Sequence, residues 1–137
     1  MGNSCLIGTE EDELISIDFR TGHINWKFQA DGYIIFPPVA YKGMIYFAAE
    51  NTVYSLSGSG EEIWKNDLGG RISSPLKIDR AKNRVLVTLF NEITIDTQHH
   101  DLVCLKAKTG ETFARRMSKE IFRSAVMIGK SNFFVLT

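Results

Sequence analysis

The sequence predicts an all-β fold built from four-stranded antiparallel blades, the architecture of a β-propeller, and three observations carry that expectation. Short runs rich in β-branched and aromatic residues follow one another along the whole chain. Turn signals separate them at intervals of about 8–12 residues, and no stretch holds a helical period long enough to compete. The pattern then repeats itself: Trp26 and Trp64 stand 38 positions apart, as do Gly22 and Gly60, while Pro38 and Pro75 stand 37 apart. A period near 40 residues with four strands per unit is the signature of propeller blades.

Taken in order, residues 5–28 supply three strands, over 5–8, LISID (14–18) and INWKF (24–28), which make a part blade. The next blade, 37–66, opens after Pro37-Pro38 with VAY (39–41) and continues through MIYFA (44–48), TVYSL (52–56) and EIWK (62–65). The blade at 74–116 opens after Ser74-Pro75 with LKI (76–78), followed by RVLVTLF (84–90), LVCLK (102–106) and TFARR (112–116). Its hairpin is lengthened by residues 91–101. SAVMI (124–128) and NFFVL (132–136) give two strands of a last part blade, so residues 1–137 read as one partial propeller domain. RTG, DG, KG, SGSG, LGG, RAKN, KTG and GKS are the turns, each supplying residues that accept tight backbone geometry.

Bulk properties narrow the function classes. With 16 Lys+Arg against 16 Asp+Glu the formal charge is zero, so no basic footprint for nucleic acid is present. No run of about 18 apolar residues offers a membrane span, and the first residues lack the basic and apolar regions of a secretory signal, which favours the cytoplasm. Gly2 with Cys5 suggests lipidation, but Leu6 occupies the place where the acylation pattern needs Ser or Thr. Cys5 and Cys104 are far apart in apolar surroundings and are expected to be buried thiols.

The stretch SIDFRTGHINW resembles the tryptophan-docking motif of the quinoprotein, or PQQ-type repeat, β-propellers. In that family a small residue is followed by Asp, Thr-Gly and Trp, and Ser16, Asp18, Thr21, Gly22 and Trp26 fall on those places in order. The second copy keeps Ser55, Ser59, Gly60 and Trp64 in a turn one residue shorter, with Ser57 at the Asp place. The third keeps Thr109 and Gly110, places Lys106 where Asp belongs and carries Ala114 instead of Trp. Physically, a Trp on an outer strand can lie over the neighbouring blade's turn, where Gly removes the Cβ that would block it. Asp18, Thr21, Gly22, Trp26, Gly60, Trp64 and Gly110 are therefore expected to be docking residues that hold blades together.

Closed propellers have about four to eight blades, so this chain is part of a longer ring, closes as a homo-oligomer with its 124–128 strand completing a partner's part blade, or, least favoured, is an open array with exposed edges. The resemblance implies two kinds of role. Some relatives are protein-docking scaffolds, including the lipoprotein partner in outer-membrane barrel assembly and the propeller appended to acyl-CoA-synthetase-like enzymes. Others are dehydrogenases with a quinone cofactor, Ca²⁺, a catalytic carboxylate and a pair of adjacent cysteines, a pair this sequence lacks. A non-catalytic protein-interaction module without PQQ or calcium is the reading the residues favour, with a dehydrogenase fragment or a small-ligand or sugar-binding module as alternatives. No catalytic or metal-binding motif is present, and His99 and His100, adjacent in a strand, would face opposite ways, as solvated residues near a hairpin tip. The expected binding surface lies ahead of each Pro-led strand: Phe36, Ser73 and Arg123 at equivalent places, Tyr33 and Arg71 nearby, and the histidine hairpin beside them.

Overall fold

A computed structural model describes residues 3–92, 98–118, 124–128 and 132–136. Every described element is a strand or a turn, and no helix among the described residues is long and apolar enough to cross a membrane. The chain divides into two compact units, Met1–Asp67 and Leu68–Thr137.

In the first unit, β1 (Ser4–Gly8), β2 (Glu13–Asp18) and β3 (Ile24–Gln29) form a three-stranded antiparallel sheet in chain order. β4 (Val39–Tyr41), β5 (Met44–Ala49), β6 (Thr52–Ser57) and β7 (Glu62–Asp67) form a four-stranded one. The β4–β5 hairpin turns through Lys42 and Gly43, with φ of 49° and 76°, the left-handed pair that matches the twist of two adjoining strands. Period-two alternation aims one row of side chains from each sheet at the other. Leu14 and Ala30 meet Ile45, Phe47, Ala49, Tyr54 and Leu56 in a single buried cluster, flanked by Leu6, Trp26, Phe28 and Ile34. Phe47 stacks on Tyr54 at 4.8 Å between ring centroids, and the Phe28 ring meets both edge-on at 5.9 and 5.5 Å.

A polar tie closes one end of this core. Asp31 N–H donates to the Tyr54 hydroxyl at 3.0 Å, and that hydroxyl and Lys65 Nζ both donate to Asp31 Oδ2 at 3.1 Å. The Lys65 hydrogen bond, then that of Tyr54, holds the Asp31 carboxyl below its ordinary value. Burial pushes the Tyr54 hydroxyl up.

In the second unit, β8 (Arg71–Ile72), β9 (Lys77–Asp79), β10 (Arg84–Glu92), β11 (Gln98–Lys106) and β12 (Thr112–Ser118) form one antiparallel sheet. β10 and β11 make the long hairpin, paired from Arg84↔Lys106 to Glu92↔Gln98. β13 (Ser124–Ile128) and β14 (Asn132–Leu136) pair with each other. Val85, Val87, Leu89, Val103 and Leu105 are fully buried.

Two features depart from the expectation. The strand opening the 74–116 blade is split, because β8 and β9 both pair with β10, either side of Ser73-Ser74-Pro75. Pro75 has no N–H, and a side chain stands in for the ladder there: Ser74 Oγ accepts from Thr88 N–H at 3.2 Å, while Ser73 N–H donates to Thr88 O at 2.9 Å. Cys104 is buried as expected, and burial raises its thiol pKa. Cys5 is exposed, because it lies on the face of the β1–β3 sheet opposite Leu6, away from the core.

Candidate interaction surface

The repeat turns show how the motif residues act. Asp18 Oδ1 accepts from the amides of Arg20 (2.8 Å) and Thr21 (3.3 Å), Thr21 Oγ1 accepts from His23 N–H, and Gly22 N–H donates to Asp18 O. In the shorter second turn Gly60 N–H reaches Ser57 O, and Ser57 Oγ takes over from the Asp carboxylate by accepting from Glu61 N–H. In the third, Gly110 N–H donates to Lys106 O, and the Lys106 ammonium turns outward to Glu111 at 3.2 Å. Gly22, Gly60 and Gly110 all have φ between 76° and 86°, a left-handed backbone that favours glycine.

Trp26 lies over the second turn. Its Nε1–H donates to Gly58 O at 3.0 Å, and a Cβ on Gly60 would stand 2.5 Å from ring atom Cδ2. Trp64, at the same place on β7, is buried with its ring 6.0 Å from Tyr46. The strand pairs align the copies residue by residue. Ser16 faces Trp26, Ser55 faces Trp64 and Cys104 faces Ala114, each followed at once by a β-bulge. Where the Trp is missing, Ala114 instead packs against Leu86, Leu102 and Cys104.

The expected binding-surface residues are divided between the two units. In the first unit, Tyr33 is exposed and Phe36 is half-buried on the segment joining β3 to β4. Glu50 N–H donates to Tyr33 O at 3.1 Å, and Pro37-Pro38 stiffen the segment's end. In the second unit, Arg71 lies over the Phe90 ring at 5.6 Å, and Phe90 is 5.1 Å from the His100 ring, so Arg71 and His100 share one aromatic neighbour. The Ser73 hydroxyl is engaged with Thr88 Oγ1 at 3.0 Å. Arg123 lies outside the described residues.

The histidines are not solvated at a tip, since both lie within β11, whose pairing with β10 carries the ladder on to Gln98. His100 is buried. His99 Nδ1 is 2.9 Å from Asp101 Oδ1, on the other face of the strand from the Phe90–His100 contact.

Asp101, 2% exposed, is a centre that sequence spacing did not reveal. Its Oδ2 takes the Arg115 guanidinium and Asn91 Nδ2–H (3.1 Å), and Arg115 also donates to Leu68 O at 3.1 Å. Gly70 packs so closely on the Asn91 amide that a Cβ would not fit. A buried carboxylate so surrounded is a structural tie across β10, β11 and β12. Among the described residues no three His, Cys, Asp or Glu side chains are grouped to hold a metal ion. Cys5 and Cys104 are separate free thiols.

Desolvation lowers the His100 pKa below its ordinary 6.5, a larger effect than the opposing Asp101 charge. The unfolded chain therefore binds the proton first. The stability that neutral His100 contributes is complete above pH 6.5 and is lost as the pH falls through the lower folded value. Chemical denaturation at stepped pH is expected to show that loss in the native chain and a shallower one in His100→Phe.

Four-stranded antiparallel blades with a Gly turn and a Trp laid across it define a segment of a PQQ-type β-propeller. Residues 1–118 match the sequence profile of the PQQ-repeat family described as outer membrane protein assembly factor BamB, and the chain belongs to that family. No curated protein matches the chain by sequence. Among solved structures, BamB from Moraxella catarrhalis is similar at 21% identity and a TM-score of 0.65, over 83% of this chain and 33% of that one. Quinohemoprotein alcohol dehydrogenase from Comamonas testosteroni is similar at 18% identity and a TM-score of 0.67, over 85% of this chain and 20% of that one. The Pan2 WD40 domain of Neurospora crassa is similar at 15% identity and a TM-score of 0.74, over 93% of this chain and 38% of that one. The chain thus spans well under half of each of these propellers.

Proposed function

We propose that this propeller segment is a non-catalytic protein-interaction module. The observation that carries the reading is the segment between β3 and β4, where Tyr33 and Ile35 expose 41% and 59% of their surface on a backbone fixed by Glu50 and Pro37-Pro38. A large aromatic and a large aliphatic side chain, held on a braced loop, supply contact area at little ordering cost, which is what a protein partner uses. The family description points the same way, since an assembly factor acts on other proteins.

A photoactivatable phenylalanine analogue at position 33, with Lys108 as the control position, tests the reading in the host cell. A discrete protein adduct at position 33, absent at 108 and lost with Ile35→Asp, is the expected result. Equal labelling at both positions, or none, would overturn the reading. So would formation of a holoenzyme that oxidises alcohols after incubation with PQQ and Ca²⁺.

A further inference from the structure

The second copy of the repeat lacks an ion pair that the first and third copies keep. Strand register aligns Ser16, Ser55 and Cys104, and three residues ahead of them stand Glu13, Thr52 and Asp101. One residue past Trp26, Trp64 and Ala114 stand Lys27, Lys65 and Arg115. Lys27 reaches Glu13 at 3.9 Å, and Arg115 binds Asp101. Thr52 offers Lys65 no charge, and Lys65 turns to Asp31 instead, 3.1 Å away. Beside Thr52 lies an open cleft of about 340 Å³, bordered by Asp31, Glu50, Asn51, Lys65 and Asp67 and wholly within the first unit. Three carboxylates there face one ammonium, which is already engaged with Asp31. Thr52 is only 9% exposed, and its pairing with Ala49 and Asp67 turns it to the cleft side of the sheet with both. Its hydroxyl has no partner among the described residues, whereas a polar group so deep is normally satisfied. The cleft adjoins the Tyr33 loop, since Glu50 N–H donates to Tyr33 O and a Cβ on Gly32 would stand 2.8 Å from Glu50 Oε2.

We propose that this cleft receives an arginine side chain of the protein partner that contacts Tyr33 and Ile35, its guanidinium donating to Glu50 and to the Thr52 hydroxyl. For the source of that arginine the proposal rests on the interaction reading. Excess negative charge on the lining draws a cation. Among the described residues the acids do not converge as metal ligands would, so a broad cation suits them better than a point charge. A guanidinium is planar, with five N–H donors in a fixed fork, and can serve a carboxylate and a hydroxyl on separate walls at once. The volume lies at the low end for ligand pockets and suits one side chain. The third copy shows the same chemistry satisfied from within, where the Arg115 guanidinium and the Asn91 amide surround Asp101.

The test titrates the chain with Nα-acetylarginine methylamide and follows backbone amides by NMR, with the citrulline analogue as a neutral isostere and the lysine analogue as a point charge. Saturable shifts at Asn51 and Thr52 are expected with arginine, and binding about tenfold weaker with citrulline. Thr52→Val is expected to weaken arginine binding about fivefold without lowering the melting temperature, because the hydroxyl it removes has no partner in the chain. Glu50→Gln, at an exposed turn, is expected to weaken it by about as much. Equal binding of citrulline or of lysine overturns the proposal, as does arginine binding that neither variant weakens, and the cross-link at position 33 is then unaffected. Saturable arginine binding in a chain that gives no adduct at position 33 overturns the interaction reading and, with it, the partner as the source of the arginine.

Discussion

Replacing Trp26 by Ala is expected to lower the unfolding free energy by about 3 kcal/mol, at the low end of the range for Trp→Ala because the ring is half-buried. The ring covers the Gly60 turn, donates to Gly58 O and borders the Leu14–Phe47–Tyr54 core, so its loss opens the joint between the two sheets of the first unit. Trp26→Phe separates the contributions. It keeps apolar contact but loses the indole hydrogen bond, a difference of about 1 kcal/mol. Gly60→Ala forces a methyl against Cδ2 and also occupies a φ of +86°, so it is destabilising in the native chain. With Trp26 already changed to Ala, only the backbone cost of about 1–2 kcal/mol remains. Denaturant unfolding of the two single variants and the double variant measures that coupling. Additive effects, or a loss under about 1 kcal/mol for Trp26→Ala, would mean that the ring does not hold the joint.

Arg115→Met is expected to cost about 3 kcal/mol, since it leaves the buried Asp101 carboxylate without its cation. The figure is at the low end for a broken buried pair because the Arg115 side chain is 40% exposed. Asp101→Asn is expected to cost less, about 1 kcal/mol, because Asn keeps a hydrogen-bonding partner for Asn91 and the freed Arg115 can reach water. The double variant recovers part of the Arg115→Met loss. Urea unfolding ranks the three, and the opposite order for the single variants would show that Asp101 does not depend on Arg115 for its charge.

The all-β fold and the blade repeat were legible because both are periodic. Alternation within strands and the Trp–Gly spacing between copies recur in one dimension, so a single sequence exposes them. The same spacing located the turn that Trp26 covers. Other features depend on register across several strands. Asp101 and Arg115 are brought together by the β11–β12 pairing, and Asn91 joins through the β10–β11 hairpin, so no short motif contains them. His99 and His100 looked solvated because the hairpin was expected to turn near them, whereas the ladder continues to Gln98. Ser74-Pro75 reads in sequence as a strand opening, whereas in the structure the Ser74 hydroxyl stands in for a ladder contact that Pro75 interrupts. Cys5 carries a buried-type pattern, yet the face it belongs to has no cover within the described chain.

The three β-bulges, after Ser16, Ser55 and Cys104, have a consequence for how this chain drifts under mutation. The third copy keeps its bulge, its glycine and its turn hydrogen bond although it has lost the indole. Backbone grammar and side-chain latch are therefore separable traits. Substitutions can remove latches one blade at a time while each blade still folds to the same outline. A repeat that has shed its latch still folds as a sheet of the same pattern and becomes free ground on which new chemistry can be tried.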